Sequence, residues 1–100
     1  MVVKHAGVHP KGTLQFIDVI ESVKKGPDFN KVGALASFIG VVRGETEKGE
    51  AVRRLQLEAY EEQAGQILEA ICRDLKSEKG IVDVQIHHFT GDFELGEDLV

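Results

Sequence analysis

Residues 33–60 read GALASFIGVVRGETEKGEAVRRLQLEAY, and how this stretch is divided into strands decides the fold. Over 33–43 the apolar side chains occupy both strand parities, with Leu35, Ile39 and Val41 on one and Ala34, Ala36, Phe38 and Val42 on the other. That pattern predicts a strand covered on both faces. Residues 44–51, GETEKGEA, form a polar loop with a glycine near each end. Residues 52–60 then alternate, Leu55, Leu57 and Ala59 inward against Arg54, Gln56 and Glu58 outward, as in a strand with one wet face. Arg43 closes the first strand on the parity of Val41. Two readings of it stand: a packed stem with the guanidinium in solvent, or a fixed cationic fork aimed at an anion such as a phosphate.

Outward from this stretch the periods are easier to assign. Residues 2–9, VVKHAGVH, predict a short strand closed by Pro10. From Thr13 the spacing turns helical through Phe16, Ile17, Ile20 and Val23, with Thr13 as cap and Gly26-Pro27 as the stop, giving a helix over 13–25. A second helix runs from Glu61 to Lys79 on the stripe Ala64, Ile67, Leu68, Ile71 and Leu75. Residues 81–89, IVDVQIHHF, predict another strand, TGDFELGED a turn, and Leu99-Val100 the start of one more strand at an open edge, for another chain or a longer protein to complete. Strand, helix, strand, strand, helix, strand is an α+β order, read as one domain over 1–100.

Bulk properties exclude several classes. The 100 residues carry a net charge of −5, and their basic clusters are no larger than pairs such as Arg53-Arg54, so nucleic acid is not an expected partner. No apolar stretch reaches the roughly 18 residues that span a bilayer. The N-terminus does not read as a signal peptide, and the single cysteine, Cys72, fits a reducing compartment, so the expected location is cytoplasmic. No GxxxxGK[ST] or GxGxxG occurs, and no cofactor is expected.

Other candidate residues favour structural roles. His88 shares its parity with Val82, Val84 and Ile86 and reads as a core histidine, whereas His87 faces solvent. His5 and His9 have a spacing that ligates metal only on a helix, which Gly7 and Pro10 oppose. Cys72 reads as a small core residue. Glu45, Glu47 and Glu50 are a solvated run without calcium-loop spacing.

Three motifs in this order and spacing carry a resemblance. Gly33 to Arg43 gives G-A-x-x-x-F-x-G-x-V-R; Leu55 to Tyr60 gives L-x-L-E-x-Y leading into a helix; His88, Gly91, Phe93, Gly96 and Glu97 give H-x-x-G-x-hydrophobic-x-x-G-E. The chain resembles the MoaE family, the large subunits of molybdopterin synthase, well over 33–100 and more loosely before. The resemblance implies an α/β-hammerhead fold, of which this would be the N-terminal two-thirds. A ferredoxin-like βαββαβ module that binds or senses a small molecule without catalysis is the alternative. It implies sulfur transfer from the thiocarboxylate of a small ubiquitin-like sulfur-carrier subunit to cyclic pyranopterin monophosphate, giving molybdopterin, in molybdenum cofactor biosynthesis. It also implies a homodimer of large subunits within a heterotetramer. Phosphate binding by the family's strand carries over to Val41, Val42 and Arg43. The family's catalytic lysines lie in an A-H-R and a K-x-x-x-P-x-W-K-K region that no lysine of this sequence matches, so catalytic residues are unknown here. Phe89 stands where the family usually has an arginine. A shortened relative that dimerises with full-length subunits is a further reading.

Overall fold

A computed structural model describes residues 5–100. In chain order it contains β1 (Ala6–Pro10), α1 (Phe16–Lys24), a short 3-10 turn (Phe29–Lys31), β2 (Arg54–Leu57), α2 (Glu61–Lys76) and β3 (Ile86–Glu94). The three strands form one sheet in the order β1-β3-β2, with β1 parallel and β2 antiparallel to β3. The protein is α+β. Parallel pairing of the first and last strands departs from the ferredoxin-like alternative, whose sheet is antiparallel.

β3 holds the sheet together by changing partners partway along. Residues 86–90 pair with β1, Ala6 opposite Ile86 through Pro10 opposite Thr90, and residues 91–94 pair with β2, Leu57 opposite Gly91 through Arg54 opposite Glu94. The change falls at Gly91, whose φ of 130° lies where L side chains are strained. The sequence expectation of a strand over 81–89 and a turn from Thr90 is therefore corrected. A glycine that reads as a turn signal instead lets one strand serve two neighbours.

Phe93, opposite Leu55, is 1% exposed and is the most deeply buried large side chain. The Lys11 ammonium sits 5.6 Å from its ring centroid. Ala6, Leu14, Val42 and Cys72 complete the buried apolar set. α2 packs on β1, and burial raises the pKa of the Cys72 thiol, which lies 3.9 Å from the His5 carbonyl oxygen. Cys72 is the core residue its position predicts. Of the expected α2 stripe, Ala64 and Leu68 are half-buried, whereas Ile67, Ile71 and Leu75 are exposed.

Local signals set the ends of the elements. Thr13 does not cap α1: its hydroxyl donates to the Pro10 carbonyl at 2.6 Å and closes the turn after β1. The helix begins at Phe16, and its cap is Gln15, two residues beyond Thr13, where the Asp18 carboxylate accepts the Gln15 N–H at 3.3 Å. At its other end Gly26 N–H returns to the Val23 carbonyl at 3.1 Å, as the Gly-Pro stop predicts. β1 carries the strand expected over 2–9 as far as it can be followed; residues 2–4 lie outside the described residues. β2 keeps the expected alternation, Leu55 and Leu57 half-buried between exposed Arg54 and Gln56.

The stretch 33–43 is the main correction. Residues 34–40 belong to no strand, and Phe38 is 87% exposed. Pairing begins only at Gly40, whose N–H donates to the Val100 carbonyl at 3.1 Å, while Leu99 N–H donates to the Gly40 carbonyl at 2.7 Å. Leu99 and Val100 form no regular strand, but their backbone groups find partners at Gly40 within the chain. A side chain at Gly40 would force Val100 to shift, because its Cβ would lie 2.8 Å from Val100 Cγ1.

Candidate functional site

The site grows from this 40–42 ladder. Val41 faces Asp98 in an antiparallel bridge, Val42 N–H donates to the Glu97 carbonyl at 3.0 Å, and Gly96 N–H donates to the Val42 carbonyl at 2.9 Å. Val42 is 3% exposed and both its backbone polar groups are used, so it anchors the rim instead of offering a donor to a ligand. Val41 and Arg43 lie on the opposite parity and both are exposed, Val41 against the expectation of a strand covered on both faces.

The turn that grips Val42 is itself clamped. Glu94 N–H donates to Glu97 Oε1 at 2.7 Å, Glu97 N–H returns to the Glu94 carbonyl at 3.1 Å, and Lys11 Nζ reaches Glu97 Oε1 at 2.7 Å. The Lys11 hydrogen bond leads the causes that lower the Glu97 pKa. Gly96, at φ 83°, supplies the left-handed residue that the turn needs. Two motifs over fifty residues apart in sequence are therefore one structural unit, with Arg43 at its margin.

Beyond Arg43 a hairpin opens. Glu45 bridges Ala51, Val52 N–H donates to the Gly44 carbonyl at 2.8 Å, and Thr46 N–H donates to the Glu50 carbonyl at 2.8 Å. Arg43, Thr46, Glu47, Lys48 and Glu50 line an open depression of about 430 Å³. Among the described residues no carboxylate lies within ion-pair distance of Arg43, though two glutamates share its depression. The sequence presents 44–51 as a polar loop with Glu45, Glu47 and Glu50 solvated, and does not show Thr46 and Lys48 as neighbours of Arg43, because a hairpin's cross-strand contacts leave no periodic signal.

A larger cavity of about 960 Å³ lies between α1, residues 31–39 and residues 80–87, and Val41, Val42 and Arg43 do not line it. For an anion it is the poorer site. Its walls are mostly apolar, and Lys11 there is already bound to Glu97 and to the Asp92 carbonyl at 3.0 Å.

A polar chain borders that cavity and reverses the histidine assignment. His87 is the buried one, 7% exposed, while His88 is half-buried. His87 Nδ1 lies 2.9 Å from His9 Nε2, His87 Nε2 lies 3.0 Å from Gln85 Oε1, and Gln85 Nε2 donates to Ser22 Oγ at 3.1 Å. The Gln85 amide oxygen facing Nε2 favours the His87 tautomer protonated there, with Nδ1 the acceptor toward His9. The parallel β1–β3 register sets Gly7 beside His87, and it is the His9 ring that lies over Gly7, where an added Cβ would come within 3.2 Å of His9 Cε1 and Nε2. His9 thus meets His87, not His5, which pairs with Asp83 at 3.1 Å. Phe89 stacks obliquely on His9, ring centroids 6.0 Å apart.

Burial, with His9 and His5 nearby, lowers the His87 pKa from 6.5 to about 4. Between those values the unfolded chain holds a proton that the folded one lacks, so stability should be full above pH 6.5 and fall as pH drops toward 4. At about 1.4 kcal/mol per unit, the loss approaches ~3 kcal/mol. Urea midpoints at pH 7 and pH 4.5 should show this drop in the native chain and a much smaller one in His87→Gln; equal drops would contradict it.

Fold and site together define a small α+β protein that holds an arginine with no ion-pair partner among the described residues on a backbone-clamped rim, a form suited to an anionic ligand. A family model described as "MoaE protein" matches residues 9–100, and the chain belongs to that family. It is 34% identical over 92 residues to a Haloferax volcanii protein named probable molybdopterin synthase, covering 91% of this chain and 34% of that one. It is also 34% identical over 92 residues to the molybdopterin synthase catalytic subunit of Pyrococcus abyssi, covering 81% of this chain and 62% of that one. The corresponding subunit of Bacillus subtilis is 34% identical over 80 residues, with 80% and 50% covered. The chain thus spans between about one-third and just under two-thirds of these relatives' lengths. No solved structure matches. No helix among the described residues is long and apolar enough to cross a membrane.

Proposed function

We propose that this chain acts in molybdenum cofactor biosynthesis as the precursor-binding part of a molybdopterin synthase large subunit. It holds cyclic pyranopterin monophosphate by its phosphate at Arg43, with Val41 beside the ligand and Val42 fixing the rim from behind. The observation that carries this reading is the exposed guanidinium at the end of a hydrogen-bonded ladder, in a chain of the MoaE family. A planar fork on a fixed stem can donate two parallel hydrogen bonds to a phosphate with little further loss of entropy.

Sulfur is delivered by the C-terminal thiocarboxylate of a small ubiquitin-like partner, and two sulfurs end as the dithiolene of molybdopterin. The lysines that serve this step in the family match no position here. The chain folds as one domain, the N-terminal two-thirds of an α/β-hammerhead, and two copies pair within a cytoplasmic heterotetramer. Gel filtration of the chain with its thiocarboxylated partner and the precursor tests the reading. Co-elution of all three supports it, and separate elution of partner and precursor would overturn it.

A further inference from the structure

We propose that the outer edge of β2 is the surface on which a second copy of this chain docks, the two strands pairing antiparallel about Gln56. This deepens the homodimer reading above by naming its surface. β3 occupies one edge of β2, and among the described residues no backbone hydrogen bond leaves the other edge over Arg54–Leu57. The sequence alternates through 52–60, yet the regular strand stops at four residues, because β3 offers it only Gly91–Glu94. A second neighbour would extend it.

The sequence of this edge complements itself. A two-fold axis perpendicular to the sheet sets residues of like parity opposite one another and keeps each face continuous. Centred on Gln56, this places Arg54 opposite Glu58 twice, Leu55 opposite Leu57, and Val52 opposite Tyr60, an aromatic against a β-branched side chain. Centring on Leu55 would set Val52 against Glu58 and Arg53 against Leu57; centring on Leu57 would set Arg54 against Tyr60. Only the Gln56 register pairs both charges. Arg54, Gln56, Glu58 and Tyr60 are all exposed, Tyr60 at 84%, and Gln56 Nε2 lies 3.4 Å from Glu58 Oε1, which holds the carboxylate on the pairing face.

Two measurements on the full chain separate the surface from the oligomeric state. Sedimentation should give a dimer, with Arg54→Glu or Glu58→Arg raising the dissociation constant about tenfold and the double exchange restoring it. Under mild oxidation Gln56→Cys should form an intermolecular disulfide, since directly opposed antiparallel residues have Cα atoms about 4.5–5.5 Å apart. Arg54→Cys should not, its copies lying about 13 Å apart along the strands. Cys72 is 4% exposed and does not compete. A native dimer in which Gln56→Cys fails to cross-link, or in which the double exchange fails to restore pairing, would overturn the surface and leave the homodimer standing. A native monomer would overturn both.

Discussion

Arg43→Ala should weaken binding of cyclic pyranopterin monophosphate by about 10–100-fold, the range expected for removing a hydrogen-bonding group that pairs with a charge. Val42, which fixes the stem, is unaffected by the change, so the fold and its thermal midpoint should stay as they are. Arg43→Lys should recover only part of the affinity, because an ammonium keeps the charge but loses the two-pronged geometry. Arg53→Ala is the control: the same charge is removed from the strand beyond the hairpin, and affinity should hold. Isothermal titration reads all four proteins. Equal affinity for the native chain and Arg43→Ala would remove Arg43 from the site, whatever else the family does.

Phe93→Ala should be the most destabilising single substitution in the chain. At 1% exposure the ring fills the junction where β3 passes from β1 to β2, with Leu55 opposite and Lys11 over its face. Truncating a buried phenylalanine costs about 3–5 kcal/mol, a large share of the roughly 5–15 kcal/mol that stabilises a domain. The thermal midpoint should fall by about 15–30 °C, at 4–8 °C per kcal/mol for a chain of this size. The loss should also reach the ligand site, since Glu94, Gly96 and Glu97 hang from the same strand end and grip Val42. A fall of only a few degrees would mean that the junction is not the keystone of the sheet.

How much of this was legible in the sequence depended on whether one element's own pattern determined its neighbours. α2 began where expected because Tyr60 and Glu61 mark a change from period two to period 3.6. Leu55 and Leu57 turned inward because strict alternation leaves one choice of face. Val41 and Val42 offered no such choice, since both parities of their stretch are apolar, and only Val42 is buried.

The failures share a cause too. Residues 34–40 are apolar on both parities, which signals burial without naming a partner, and the chain supplies a neighbour only from Gly40 onward. Gly91 was ambiguous because glycine marks turns and strand distortions alike. That His87 is the buried histidine and His88 only half-buried was not legible, because parity within β3 does not show which of the two meets His9 on β1 and Gln85. Of the candidate site, the arginine and its rim were visible; its hairpin neighbours and the Glu97 clamp are long-range contacts and were not.

The phosphate assignment can be tested at the atom it concerns. The sequence has four arginines, so their Nε–H resonances can be assigned one by one in nitrogen-15-labelled protein. On adding cyclic pyranopterin monophosphate, the Arg43 signal should shift and saturate, with Arg53, Arg54 and Arg73 unmoved. Saturable binding that leaves Arg43 in place and moves another arginine would contradict the assignment.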